Sequence, residues 1–421
     1  MTRAARARRG AFPRAVTARR VGLSGAFAAA LIASFASCAS NEEAGPPLPE
    51  APVTLPEAAP PEDVEAGPIE AGCDAGDPDC VTEVVPCDAV EWCSVPFDVS
   101  PFFTLTKVWG SSKTDVWAVG SGGTIIHFDG AKWTATPTGV QNTFFDVWGS
   151  GPNDVWAVSS STVLLHTTGF KGGAAVWENL PTAESEFNSV FIRAIWGTSP
   201  TDVRIGGRAF DLPDSPSGTG DQYVLAPSED GGVAWRPLPG THTVTSIWGS
   251  SAGDVWMTAD NSVYVGYQRG MTLHGTPSSA WADAGGVEDP LAWSEVDSQS
   301  SLTLESVWGS SSSDVWAVGP LGTIRHITPA DARWQKVDAK TTNDLHAVWG
   351  SGPNDVWAVG EAGTILHYDG ASFEPASAQL PLGKKPSLRG VWGSGPDDVW
   401  IVGDGVILHY AGPKSGKGGA K

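Results

Sequence analysis

Residues 108–133 read VWGSSKTDVWAVGSGGTIIHFDGAKW. Three short runs rich in β-branched and aromatic residues are separated by Gly, Ser and Asp turns, and Trp133 begins a fourth. Such runs read as strands, here labelled A (around Trp109-Gly110), B (Asp115–Val119), C (Thr124–His127) and D (around Trp133). The Trp-Gly element recurs at Trp109, Trp148, Trp196, Trp248, Trp308, Trp349 and Trp392, at spacings of 39, 48, 52, 60, 41 and 43 residues. An Asp-Val element follows each, at Asp115, Asp154, Asp202, Asp254, Asp314, Asp355 and Asp398. A period of about 40–50 residues with four strands per unit marks a propeller blade. The expected fold is therefore all-β, a seven-bladed β-propeller of four-stranded antiparallel blades.

The tryptophans fit that frame. Of 20, seven lie in Trp-Gly, six follow Asp-Val, and six take the outer-strand position (Trp92, Trp133, Trp177, Trp235, Trp293 and Trp334). Arg204 and Phe373 stand at the two missing places, and only Trp281 lies outside. Their regularity predicts wedges between blades, each burying about 150–250 Å². Trp92 precedes the first complete unit, while the last unit stops after His409-Tyr410-Ala411-Gly412 without a strand D. The segment Glu91–Phe97 is thus expected to supply strand D of the last blade, which would remove an open sheet edge.

The ends differ in kind from the repeat. Seven arginines and no acid lie within the first 20 residues, followed by an Ala-rich apolar run, Val21–Ser37. This is the layout of an export signal. It ends Phe35-Ala36-Ser37-Cys38, which resembles a bacterial lipobox with Cys38 as the lipidated residue; ordinary cleavage after Ser40 is the other reading. Arg19-Arg20 resembles a twin-arginine signal, so the export route stays open. Residues 39–72 are rich in Pro, Ala and Glu and read as a disordered tether, reaching at most on the order of 100 Å. Residues 73–91 form a Cys-rich segment, 92–412 the propeller, and 413–421 a disordered Gly/Lys tail. No stretch beyond the N-terminus is long enough to span a membrane as an apolar helix.

Losing the seven leader arginines leaves 19 basic against 47 acidic residues, a net charge near −28. That excludes nucleic acid as a partner, whose binders need basic surfaces, and leaves a lipid anchor as the membrane link. Cys73, Cys80, Cys87 and Cys93 lack paired zinc-knuckle spacing and read as two disulfides of unassigned connectivity in an oxidising compartment.

Residues that could carry chemistry repeat too regularly to be catalytic. Seven equivalent Asp side chains suit turns, where they accept backbone N–H bonds. Five histidines share one place on strand C (His127, His166, His326, His367 and His409); they lie in different blades and cannot meet on one ion. His242, His274 and His346 have no evident partner in sequence. Function is expected in the irregular parts. One is the insertion Arg208–Gln222 between strands B and C of blade three, with Arg208, Phe210, Asp211, Asp214 and Asp221 as candidate binding residues. Pro181–Asn188 and Gln379–Arg389 would share its face. The other is the blade-four insertion Gln268–Pro290, with Trp281.

His127-Phe128-Asp129-Gly130-Ala131-Lys132-Trp133 and its echo His367-Tyr368-Asp369-Gly370-Ala371-Ser372-Phe373 resemble the BNR/Asp-box propeller repeat, whose pattern is Ser-x-Asp-x-Gly-x-x-Trp. The resemblance extends over residues 92–412 and implies a propeller of the exported bacterial type. Sialidases in that class use three arginines, a tyrosine nucleophile and acidic partners; no motif here receives those roles. The sequence therefore points to a monomeric, surface-tethered binding or scaffold protein with a protein or glycan ligand, no catalytic residue, no metal and no cofactor. A glycan-active hydrolase or lyase is the alternative.

Overall fold

The computed structural model describes residues 76–182, 190–208, 222–228, 232–238, 242–260, 270–278, 289–331 and 333–413. They form a β-propeller of four-stranded antiparallel sheets. The first sheet runs Leu105–Ser112, Asp115–Gly120, Ile125–Phe128 and Trp133–Ala135 in spatial order A-B-C-D. The same order recurs down the chain, with strand A at Asp146–Gly151, Phe191–Ser199, Thr243–Ser251, Ser306–Ser311, Leu345–Gly352 and Leu388–Gly395. One bridge between Phe191 and Ser160 joins the second and third sheets.

Each sheet is locally dictated. Strand B is a continuous apolar run, as expected where both faces are covered: Val116 to Val119 and Val356 to Val359 are fully buried. A two-residue turn joins A to B, and the register shifts by one residue after the Trp-Gly glycine, a β-bulge. The register then aligns one row across each sheet: Trp109 opposite Trp117, and Trp117 opposite His127. In the last sheet the row is Trp392, Trp400, His409, Cys93.

Two contacts join sheet to sheet. The Trp of each Trp-Gly lies against the Trp-Gly glycine of the next sheet. A Cβ at Gly149 would stand 2.6 Å from Trp109 Cη2, and one at Gly249 2.6 Å from Trp196 Cη2. Glycine is thus required by close approach, not by a special dihedral. Further out, the strand-D aromatic meets the strand-B Trp of the preceding sheet edge-on: Trp177 on Trp117 at 5.6 Å, Trp235 on Trp156 at 5.3 Å, Trp334 on Trp256 at 5.6 Å and Phe373 on Trp316 at 5.6 Å. These are the wedges expected from the tryptophan frame.

Arg204 breaks the series and explains itself. It is buried, stacks at 5.9 Å on the strand-D Trp293, and bonds Asp289 at 2.8 and 3.2 Å. Asp289 also accepts the Trp293 indole N–H at 2.8 Å. A buried ion pair replaces the aromatic pair, with its charges satisfied on both sides.

The N-terminal segment docks as a strand. Cys93–Ser94 pairs with His409 and Leu408 of the last sheet, and the Val95 N–H donates to the Ile407 carbonyl. The strand is shorter than the expected Glu91–Phe97 because Trp92 is engaged elsewhere. Trp92 is fully buried and edge-on to Trp357 at 4.9 Å, the wedge position of the other outer-strand aromatics. Cys87 and Cys93 form a disulfide. Cys80 is also disulfide-bonded, and Cys80–Val81 pairs with Gly383–Lys384, so the Cys-rich segment is knitted to the propeller.

Two expectations need correction. The stretch Gln268–Pro290 is not one insertion: Gly270–Pro277 is strand C of its sheet, paired with Asp254–Asp260 and Leu291–Ser300. His274 is accordingly not an isolated histidine. It lies opposite Trp256, as His127 lies opposite Trp117.

Candidate functional site

The strand-C histidines and the repeated aspartates form one device. The Asp115 carboxylate meets His127 Nε2 at 2.7 Å and accepts the Ser111 hydroxyl at 2.5 Å. Equivalent Asp–His contacts of 2.6–2.8 Å occur at Asp154–His166, Asp254–His274, Asp314–His326, Asp355–His367 and Asp398–His409. The imidazole lies against the strand-B Trp, at 3.5 Å for His326 on Trp316. To the backbone N–H bond expected of such a turn, present at Asp154 from Ser150, the structure adds side-chain partners from strands A and C. Burial pushes the carboxyls of Asp115, Asp154, Asp355 and Asp398 up, but the histidine and hydroxyl bonds outweigh it and hold them below the usual range.

Ser, His and Asp so gathered invite comparison with a nucleophilic triad. The order is wrong for one. A nucleophile must hydrogen-bond the histidine that takes its proton. Here the carboxylate sits in the middle and takes the hydroxyl itself. The six sets tie strands A, B and C together. No group of three or more His, Cys, Asp or Glu among the described residues could hold a metal ion.

A second site has no internal repetition. Strand A enters each sheet from the propeller axis, and the residue three before each Trp-Gly faces a cavity of about 380 Å³. In chain order these residues are Thr106, Phe145, Arg193, Thr245, Glu305, His346 and Arg389, joined by Lys107, Asp260 and Thr303. One wall is cationic and aromatic. The Arg193 guanidinium carbon lies 5.8 Å from the Phe145 ring centroid, and Phe191 meets that ring edge-on at 5.6 Å. Arg193 forms no ion pair among the described residues. The opposite wall is acidic but bridged. His346 Nδ1 lies 2.7 Å from Glu305 and its Nε2 2.9 Å from Glu361, which also accepts the Ser387 hydroxyl at 3.0 Å. Arg389 Nε bonds Asp404 at 3.1 Å.

The face around this mouth carries the D–A and B–C connections and exposes large apolar side chains. Phe102 is 93 % exposed, Leu321 64 % and Leu382 57 %, with Phe103 and Phe191 at its edge. Among the described residues, none lining the cavity is a tyrosine.

The structure brings few of the sequence-derived candidates together. Phe210, Asp211, Asp214, Asp221 and Trp281 lie outside the described residues, as do Cys38 and Cys73. Only the backbone of Arg208 is described, pairing with Phe191 at the end of its strand B. The mouth residues were missed because they lie in a column of strand A that does not repeat. The signal was present: the position three before Trp-Gly changes chemistry in nearly every unit, whereas the residue just ahead of it stays apolar.

No family model and no curated protein matches the chain. Solved structures do. The chain is similar to YCF48 bound to a D1 peptide at 18 % identity and a TM-score of 0.56, covering 79 % of this chain and 100 % of that one. It is similar to YCF48 from Cyanidioschyzon merolae at 18 % identity and 0.56, covering 76 % and 98 %. The WD40 propeller domain of Doa1 matches at 10 % identity and 0.55, covering 77 % and 98 %. At these identities the likeness is one of fold, a β-propeller repeat protein.

Proposed function

We propose that this chain is a non-enzymatic docking propeller that receives an extended segment of a partner protein at its axial mouth. The carrying observation is the Arg193–Phe145–Phe191 cluster: a guanidinium stacked on an aromatic platform, with no carboxylate partner among the described residues, beside an open cavity. Such a group suits a partner carboxylate flanked by an apolar side chain. The apolar rim at Phe102, Leu321 and Leu382 would extend the contact, as exposed patches of this kind do. One of the fold relatives is bound to a peptide. The glycan-hydrolase alternative would call for a tyrosine among the lining arginines, and no observation favours it.

The blade count we infer is seven, closed by the N-terminal strand; the pairing of Cys93 with His409 and the seat of Trp392 on Gly110 support it. The domain boundaries, the BNR/Asp-box kinship, the monomeric state and export with lipidation at Cys38 are part of the same reading, and the tether 39–72 would hold the propeller off the envelope. A second disulfide, with Cys80 as one of its partners, belongs to the same reading. The inserted residues Arg208 to Asp221 would stand beside the mouth as further contacts.

The test is site-specific photocrosslinking in the native host. A photoreactive phenylalanine analogue at Phe145 or Phe191 should yield discrete protein adducts. The same analogue at Val233, the first residue of a strand D on the opposite face, should not. Adducts from Val233 alone, or from none of the three sites, would refute docking at the mouth.

A further inference from the structure

The acidic wall of the mouth is held by a histidine that touches carboxylates through both of its ring nitrogens. Glu305 leads into strand A of the fifth sheet, His346 lies in strand A of the sixth, and Glu361 lies in the B–C turn of the sixth. Ser387, entering the seventh sheet, donates to the same Glu361 oxygen that His346 contacts. A neutral imidazole has one N–H and one bare lone pair. It can satisfy one carboxylate and must present a lone pair to the other. Two contacts of 2.7 and 2.9 Å therefore describe an imidazolium with two N–H donors.

We propose that His346 is a proton-operated strap across three sheets at the mouth, and that its protonation favours binding of an anionic partner segment there. The second half of this inference rests on the mouth being the docking site. The strap itself does not.

Burial opposes the charge on His346, but the bonds to Glu305 and Glu361 outweigh it and raise its pKa. Glu361 moves the other way: burial pushes it up, and His346, Ser387 and nearby Arg389 pull it below its usual range. The remaining charged groups on the cavity are Asp260 on the fourth sheet, Lys107 and Arg193 across the mouth, and Arg389, which Asp404 partly neutralises. Loss of the proton releases one contact of the strap. It also adds one uncompensated negative charge to a wall that faces Arg193. At ~10 Å in a partly solvated cavity that charge weakens an anion by about threefold.

The sign follows from linkage. A histidine whose folded pKa is raised contributes stability that is fully present below its unfolded value and is lost as pH rises through the folded one. The strap is thus whole in mildly acidic conditions and open in alkaline ones.

Histidine ring NMR of the mature chain tests the strap without any ligand, with His346→Gln to identify the resonance. We expect His346 to titrate above the free value of about 6.5, and Glu305→Gln and Glu361→Gln each to lower it. A midpoint at or below the free value, or one unmoved by both variants, overturns the strap. For coupling, the probe is a fluorescein-labelled Glu-Phe-Glu-Phe-Glu peptide, with affinity measured at pH 5.5 and 8.5. Binding about threefold tighter at the lower pH, with no such difference in His346→Gln, supports the coupling. An equal pH difference in both proteins overturns it. A raised midpoint with no peptide binding at either pH refutes docking at the mouth, and the coupling with it, and leaves the strap standing. Should His346→Gln fail to fold, Glu305→Gln serves in its place.

Discussion

Trp392, in the last sheet, lies against Gly110, in the first: a Cβ on Gly110 would stand 2.6 Å from Trp392 Cη2 and 2.6 Å from the Asp115 carbonyl oxygen. The same pair of obstacles guards Gly149, Gly197, Gly249, Gly309, Gly350 and Gly393, each facing the Trp of the sheet before it. The contact between the first and last strand sets is therefore built like every internal one.

Gly110→Ala is consequently expected to cost about 2–4 kcal/mol, at the upper end for overpacking because one obstacle is backbone that cannot rotate away. Gly151 and Gly395 meet nothing within 4 Å at the added Cβ and are the controls. Chemical denaturation should show a lower midpoint for Gly110→Ala and near-unchanged midpoints for Gly151→Ala and Gly395→Ala. Equal effects at all three would mean that Trp392 does not seat on Gly110.

The Asp–His–hydroxyl sets predict an acid-labile fold. Asp115, Asp154, Asp355 and Asp398 have lowered pKa values, so their stabilisation is present above the ordinary carboxyl range and is lost as pH falls through the depressed folded values. Asp398→Asn keeps an acceptor for His409 but gives up the charge. It should cost about 1–2 kcal/mol at neutral pH, and the difference from wild type should shrink towards pH 2. Melting temperatures of both proteins from pH 7 to 2 measure this; a constant difference at all pH values would show that the charge of Asp398 does not matter.

What could be read from the chain followed from what repeats. Strands, turns and wedge aromatics were legible because Trp109, Trp117, His127 and Trp133 recur at near-fixed offsets, and a strand aligns such residues into rows. His274 escaped because it lies 20 residues after Asp254, where His127 lies 12 after Asp115; reading Gln268–Pro290 as one insertion hid Met271-Thr272-Leu273-His274 as part of a strand C. Asp289 escaped because its partner Arg204 is 85 residues away, and nothing local marks a buried pair. The mouth residues are spread over all the units, and only folding places Arg193 and His346 on one cavity.

Arg204 offers a test of how far a repeat consensus can be trusted. The other strand-B positions carry Trp, so Arg204→Trp looks like a repair. It would instead leave Asp289, itself buried, with the Trp293 indole and the Leu291 backbone N–H as its only donors among the described residues. Breaking a buried pair by removing one partner costs about 3–5 kcal/mol. Arg204→Trp should therefore destabilise the protein, and Asp289→Ala combined with it should recover part of the loss. If Arg204→Trp alone raises the denaturation midpoint, the ion pair is dispensable and the aromatic wedge governs that boundary.

Trp92 bears on the closure inferred for the ring. It immediately precedes the strand that pairs with the last sheet, is fully buried, and packs on Trp357 at 4.9 Å and Tyr410 at 5.5 Å. Trp92→Ala removes the largest apolar contact of that strand and should cost about 3–5 kcal/mol, the range for emptying a core aromatic site. Removing everything before residue 100 goes further: it strips the strand, the wedge and the Cys87–Cys93 crosslink together, and exposes the His409 edge of the last sheet. Such a chain should lose its single cooperative transition and expose Trp357 to solvent, seen as a red-shifted indole emission against a Trp357→Phe control. A truncated chain that melts in one transition at the wild-type temperature would show that the N-terminal strand is ornamental and that the last sheet stands on three strands.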